Sequence, residues 1–390
     1  MFFDKRIGEK GTGMDRRILV TRSSMPPMGE YFEEVAPLWE SHWLTNMGAE
    51  HRKLEAALRG RLGAENIALF TNGHNALECI LEAMDLPAGG EVITTPFTFA
   101  STTHAIVRKG LTPVFADVRG SDLTLDPESV ERSVTPRTCA IVPVHVYGSP
   151  CDVGAIQEVA DRHGLKVVYD AAHAFGVEVG GTPVASFGDA SMFSFHATKV
   201  FNTVEGGCVC FKDAGLYDAL NQWKNFGITG PEDVEYVGGN AKMNEFCAAM
   251  GLCNLRHFDK EIAKRRAVAE RYWERLEGIS GVTVFRPTES VKPNYAYMPV
   301  LFDSAAFGAT RDDVFAALDA AGVGARKYFY PLVSDYACYR SVYSSERTPV
   351  AREAASRVLT LPMYADLALK DVDRICDVAL SCGKEAQGHA

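Results

Sequence analysis

From residue 66 onward the chain alternates short runs rich in β-branched and aromatic residues with longer stretches whose apolar positions recur at helical spacing. "NIALF" leads through a turn into "NALECILEAM", and "EVITT" leads into "FASTTHAIVRKG". The runs "TPVFAD", "CAIVPVHVY", "KVVYD", "ASMFSF" and "GCVCF" follow. Strand alternating with helix predicts an α/β fold with a mostly parallel central sheet. The runs are too apolar to leave one face wet, so helices are expected to flank the sheet on both sides. A long amphipathic helix is predicted from about Met243 to Leu276, with Phe246, Ala249, Met250, Leu252, Cys253 and Leu255 repeating at helical spacing. Beyond it, "VTVF", "YAYMPVLF", "RDDVFAALDAAG" and "DVDRICDVAL" predict a smaller α+β C-terminal domain. The expected division is an N-terminal extension over 1–29, a large domain over 30–255 and a small domain over 256–386.

Composition narrows the partners. At 390 residues and 47% hydrophobic, the chain can bury a core large enough for two domains. A formal charge of -10 disfavours a phosphate-backbone footprint, so nucleic acid is not expected as a partner. None of the ten cysteines forms a CxxC pair, and strand alternation puts Cys208 and Cys210 on one face, which reads as buried apolar residues in a reducing compartment. No HExxH or zinc-like Cys/His spacing occurs, so no metal is expected. The start lacks the apolar core of a signal peptide, and no stretch reaches the roughly 18 apolar residues of a spanning helix. A cytoplasmic protein without membrane contact is expected. Met14 is an alternative start that would make residues 1–13 a loose extension, and the tail "GKEAQGHA" is expected to fray.

Four places can carry chemistry. In "LFTNGHNALE" a strand ends, Gly73 permits a tight turn, and a helix opens whose free N–H groups make an anion site. The same stretch also reads as an ordinary turn capped by Asn72 or Asn75. In "KVVYDAAHAFG", Asp170 stands at the carboxyl end of a strand, where open α/β sheets bind ligands, and a buried carboxylate there calls for a cationic partner. It can equally cap the next turn. In "FSFHATKVFNTVEGG", Lys199 sits among apolar neighbours; a desolvated amine there is a nucleophile able to form a Schiff base, and a lysine reaching out to water fits as well. In "TTPFTFASTT", Phe97 and Phe99 are either core residues or a plate for a flat ligand. Together the four supply what pyridoxal phosphate needs: a phosphate site, a stacking face, an acid for the ring nitrogen and an amine for the aldehyde.

With "FSFHATK", "DAAHAFG", "EGG", "GGNAKM" and "AAMG" in this order, the chain from about Glu30 to Leu380 resembles the aspartate-aminotransferase-like (fold type I) enzymes. The resemblance is closer to the DegT/DnrJ/EryC1/StrS sugar aminotransferases. It implies pyridoxal 5'-phosphate (with its pyridoxamine form) as cofactor, Lys199 as its covalent anchor and proton carrier, and Asp170 as partner of the pyridinium nitrogen. It further implies His173 beside the ring hydroxyl, Ser194, Gly73 and His74 at the phosphate, and Phe99 over the ring. Many family members have threonine where His74 stands. The family's homodimer would bring Asn240 of "GGNAKM" to the neighbouring subunit's phosphate; two residues on, the common arginine is replaced by Lys242. A dehydrating branch carries histidine at the anchor position, so Lys199 implies transamination.

"TNGHNALE" and "GARKYFYPL" resemble the subgroup that aminates dTDP-4-keto-6-deoxy-D-glucose at C4 with L-glutamate as donor. By the same resemblance the sugar nucleotide lies across the subunit boundary, near Asn46, Lys327 and Tyr330. Amination of another ketone, a 3-keto nucleotide sugar or a keto-inositol, stays open at this point, as does a non-catalytic regulator binding the same cofactor.

Overall fold

Each apolar run that follows residue 66 forms a strand in the computed structural model, which describes residues 17–383. The expectations for residues 1–13 and for the tail beyond Gly383 lie outside the described residues. In chain order the strands are β1 (Asn66–Phe70), β2 (Glu91–Thr94), β3 (Thr112–Phe115), β4 (Thr138–Ile141), β5 (Lys166–Asp170), β6 (Glu178–Val179) and β7 (Thr182–Pro183). There follow β8 (Ala190–Ser194), β9 (Gly207–Phe211), β10 (Val282–Val284), β11 (Val291–Lys292), β12 (Met298–Phe302) and β13 (Val358–Leu361).

The central sheet has seven strands in the order β1-β9-β8-β5-β4-β2-β3. Neighbours from β8 to β3 run parallel, while β9 lies antiparallel between β1 and β8. Alternate residues feed two different cores. Ile67, Leu69, Cys208 and Cys210 point to the face covered by the helices Ala49–Leu62 and Glu245–Leu276. Ala68, Phe70, Val209 and Met192 point to the face covered by the helices Gly73–Ala83 and Ala100–Arg108. With both faces dry, no polar alternation survives in the strands.

A second, three-stranded sheet orders β10-β12-β13, and β6, β7 and β11 form a small third one. The long helix Glu245–Leu276 starts where the Asn244 side chain accepts the Cys247 N–H at 2.9 Å. Its Ala248 and Phe258 belong to the core of the large sheet, while Val268, Ala269, Tyr272 and Trp273 belong to that of the second sheet. Within the expected N-terminal extension, Ile18 is buried in this second core. It is fixed by a bond to Gly322 O at 2.9 Å and one from Gly324 N at 2.7 Å. At the end of the large sheet, the two ends of the segment 224–242 meet the carboxyl end of β1, while Asn225 and Asn240, and Ile228 and Val234, bridge each other within it. Lys224, fully buried, sets its Nζ 3.2 Å from Leu69 O, and the Thr71 N–H donates to Ala241 O at 2.7 Å. Among the described residues no helix is long and apolar enough to cross a membrane, and no cluster of His, Cys, Asp and Glu could hold a metal ion.

Candidate active site

Asp170 is the last residue of β5, Ser194 the last of β8, and Gly73 follows β1 by three positions. The carboxyl ends of parallel strands therefore bring these three side by side, where an open sheet offers its crevice.

Lys199 lies on the connection from β8 to β9. That connection closes on itself: the Phe195 N–H donates to Gly206 O at 2.8 Å and the Thr203 N–H to Phe195 O at 2.9 Å. Phe195, Val200 and Phe201 are buried beneath it, and the Phe201 ring stacks on Phe175 with centroids 4.4 Å apart. The apolar flank of the lysine is thus the anchor of its loop, while Lys199 itself is half-buried. Burial lowers its ammonium pKa from 10.5 to about 8, against the opposing pull of Asp170. A substantial share of the amine is then neutral and nucleophilic near pH 7.

Asp170 is 4% exposed. Burial raises its carboxyl pKa, opposed in turn by the Thr102 hydroxyl, the Ala172 amide, Lys199 and His74. Thr102 Oγ1 donates to Oδ2 at 2.6 Å and the Ala172 N–H to Oδ1 at 3.1 Å. Its hydrogen-bonding donors are therefore neutral, where the sequence argument looked for a cation; Lys199 acts on it without a direct hydrogen bond. Each carboxylate oxygen keeps a lone pair for a further donor.

His173 accepts the Tyr147 N–H on Nδ1 at 3.1 Å, which leaves its proton on Nε2. Burial depresses its pKa well below the ordinary value, so the ring stays a neutral donor. Asn294 fixes the same turn from the other side, giving its Nδ2–H groups to the carbonyls of His173 at 2.7 Å and Phe175 at 3.1 Å. Neither Tyr147 nor Asn294 was marked in the sequence, because both are distant in the chain and neither belongs to a motif.

Gly73 opens the helix Gly73–Ala83, and Asn72 caps it by accepting the Asn75 N–H at 2.8 Å. The capping reading of this stretch is thus realised, and the amides of Gly73 and His74 find no acceptor among the described residues. The glycine is needed for close approach and not for turn freedom: a Cβ there would lie 2.8 Å from Ser194 Cβ. A Cβ on Gly207 would lie 2.6 Å from Gly73 N. His74 Nδ1 meets Ser101 Oγ at 2.9 Å, and its Nε2 lies 3.5 Å from Glu78. Phe99 immediately precedes the helix Ala100–Arg108 and is 58% exposed, whereas Phe97 is fully buried in the core.

The remaining candidates stand farther out. Asn240 is exposed on the segment 224–242 and bridges Asn225, which also accepts from Lys242. Asn46 is exposed with φ 63°. Lys327 pairs with Asp312 at 2.6 Å, and Tyr330 is exposed beneath the Arg311 guanidinium at 4.8 Å.

This set can hold pyridoxal phosphate. Two free amides at a helix start, where Gly73 packs closely against Ser194 and Gly207, suit a phosphate dianion. Lys199 can take the aldehyde, Asp170 the ring N–H, His173 the ring oxygen, and exposed Phe99 a ring face.

Residues 28–379 match the model of the DegT/DnrJ/EryC1/StrS aminotransferase family. The chain is 41% identical over 355 residues to a Shigella dysenteriae protein named dTDP-4-amino-4,6-dideoxy-D-glucose transaminase, covering 91% of this chain and 96% of that one. It is 39% identical over 371 residues to an Escherichia coli protein of the same name, covering 94% and 99%. Among solved structures it superposes on DesI, crystallised in the presence of its TDP-sugar product, with a TM-score of 0.90 and 37% identity over 96% of this chain and 95% of that one. On Helicobacter pylori PseC, an aminotransferase involved in the biosynthesis of pseudoaminic acid, it superposes with a TM-score of 0.89 and 26% identity over 95% and 100%.

Proposed function

This chain belongs to the DegT/DnrJ/EryC1/StrS aminotransferase family, and from that premise we propose that it moves an amino group from L-glutamate to C4 of dTDP-4-keto-6-deoxy-D-glucose, giving dTDP-4-amino-4,6-dideoxy-D-glucose. It is a sugar aminotransferase that depends on pyridoxal phosphate. The choice of substrate is supported by the names of the Shigella and Escherichia relatives and by the TDP-sugar product of DesI. The observation that carries the reading is the half-buried Lys199, its pKa lowered to about 8, electrostatically coupled to the buried Asp170 at the carboxyl ends of the parallel strands.

When bound, pyridoxal phosphate supplies an aldehyde for amines and a ring that takes up the electron pair left when a proton leaves the substrate carbon. The chain's own residues do the rest. Lys199 would hold the cofactor aldehyde through its neutral amine and would carry the proton on and off the substrate carbon. Asp170 accepts the ring N–H and holds a negative charge against the ring in a site shielded from water. His173 donates its Nε2–H to the ring oxygen, and the amides of Gly73 and His74 with the Ser194 hydroxyl hold the phosphate. Phe99 covers one ring face. Asn46, Lys327 and Tyr330 lie toward the sugar nucleotide.

The active unit in this reading is a homodimer, with Asn240 of one subunit at the cofactor phosphate of the other. On the same segment as Asn240, the exposed apolar side chains Phe226 and Val237 favour a partner surface.

The test is a visible spectrum of the purified protein. Glutamate is expected to bleach the band of the lysine-bound cofactor, and the keto-sugar nucleotide to restore it. The Lys199→Ala variant is expected to keep its fold and lose both the covalent cofactor and turnover. A band that persists with glutamate and every other amino acid tried, or turnover only of a ketone without a nucleotide, overturns the proposal.

A further inference from the structure

The helix Ala100–Arg108 begins at the edge of the crevice, directly after Phe99, and its first turn carries three consecutive hydroxyl-bearing residues. Two of them meet groups already placed at the cofactor. Ser101 Oγ lies 2.9 Å from His74 Nδ1, and Thr102 Oγ1 donates to Asp170 Oδ2 at 2.6 Å. The third, Thr103, is fully buried like Thr102, yet its hydroxyl has no partner. Behind Thr102, the Thr98 hydroxyl lies at 3.3 Å, one turn back along the chain.

A carboxylate in an apolar site gains most from donors that touch it directly, because each such bond favours the charged over the neutral form. Asp170 has two, and the Ala172 amide is fixed by the backbone turn of its own segment. Thr102 is the side chain that reaches the carboxylate from another element, tying the carboxyl end of β5 to the helix that follows β2. It sets the carboxylate's rotation and adds to its charge preference at once.

We propose that Thr102 is a positioning residue of the transamination site, orienting the Asp170 carboxylate toward the cofactor ring nitrogen and stabilising its anionic form, with Thr98 supporting Thr102 from behind. The inference rests on the reading of Asp170 as the ring-nitrogen partner. Its physical content is a competition for one proton. A carboxylate deprived of the Thr102 bond is more basic and draws the ring proton toward itself. The ring is then less positive, and the link to Lys199 holds its own proton more tightly. Lys199 and His74, the neighbours that favour the Asp170 anion, and neutral His173 are untouched by the change.

The experiment compares the parent with Thr102→Val, Thr102→Ser and Thr103→Val. The two valine substitutions remove a hydroxyl from adjacent, equally buried positions of one helix and differ in whether that hydroxyl has a partner. The readouts are the dissociation constant for pyridoxal phosphate by equilibrium dialysis and the pH titration of the visible band of the bound cofactor. Thr102→Val is expected to weaken retention by roughly tenfold, about what one charge-assisted hydrogen bond contributes, and to move the titration to higher pH. Thr102→Ser is expected to restore both, and Thr103→Val to match the parent. Should Thr102→Val fail to fold, Thr98→Val is expected to shift the titration in the same direction by less. A parent that retains the cofactor while Thr102→Val, or in its place Thr98→Val, titrates like Thr103→Val overturns this inference alone. A parent that retains no cofactor overturns the functional reading as well.

Discussion

The depressed pKa of Lys199 can be tested without cofactor or substrate, by asking at what pH its amine becomes reactive in the apo-protein. An exposed lysine at its ordinary value of 10.5 is neutral in about one molecule in three thousand at pH 7; at about 8 the fraction is near one in ten. Burial therefore raises the reactive fraction at neutral pH by roughly three-hundredfold. Asp170 works against this by favouring the ammonium form, so Asp170→Asn removes the opposing influence and is expected to move the midpoint still lower. The assay is competitive trace labelling with isotopic acetic anhydride across the pH range, read by mass spectrometry on the peptide containing Lys199. Exposed lysines such as Lys53 and Lys292 serve as internal references. The expected profile has its midpoint near 8 in the parent and below that in Asp170→Asn, while Lys53, raised by its bond to Glu50, stays well above both. A Lys199 midpoint that coincides with the references, or one that rises in Asp170→Asn, refutes the argument that desolvation activates this amine.

Two further outcomes follow from the packing. In Gly207→Ala, the new Cβ would meet Gly73 N at 2.6 Å and Asn72 C at 2.7 Å, both backbone. Urea unfolding is expected to show a loss of about 1–3 kcal/mol, accompanied by weaker pyridoxal phosphate binding; unchanged binding would remove the phosphate cradle from the account. Lys224 has its pKa lowered to about 8 by burial, so the unfolded chain holds that proton more tightly. Its unfavourable contribution is full below pH 8 and fades as the pH rises toward 10.5. The stability of Lys224→Met relative to the parent is therefore expected to fall by up to about 3 kcal/mol between roughly pH 7 and pH 10, and a pH-independent difference in parallel denaturation curves would contradict it.

The strands of the large sheet were legible because complete burial leaves a plain apolar signature, as in "GCVCF", whose five residues are all buried. The order of those strands was not, since it depends on which crossover packs where. β13 escaped notice because "VLTL" directly follows the helix Pro349–Arg357 and carries no turn signal before it. Ile18 illustrates the same limit: one apolar residue in a polar stretch gives no periodicity, yet it is fixed in the second core by backbone bonds to the strand-like segment around Val323. At the site, motif residues such as Asp170, Gly73 and Lys199 were found because cofactor chemistry restricts their type and spacing. Thr102, Tyr147 and Asn294 are ordinary polar residues whose role comes from what the fold sets beside them, 68, 26 and 121 positions away along the chain.

The seating of Lys224 and Ala241 at the end of β1 has a meaning for the life of the chain before the crevice is ever filled. An end strand with open amides and carbonyls is a template on which a second molecule can add, and the apolar composition of "NIALF" would make such growth hard to reverse. At that margin Lys224 takes up the Leu69 carbonyl, and just beyond it Ala241 accepts the Thr71 N–H, on a stretch that also carries the exposed Asn240. Seating Lys224 there therefore hinders such growth at that carbonyl, and a mutation that unseats it is expected to appear first as insoluble protein during expression.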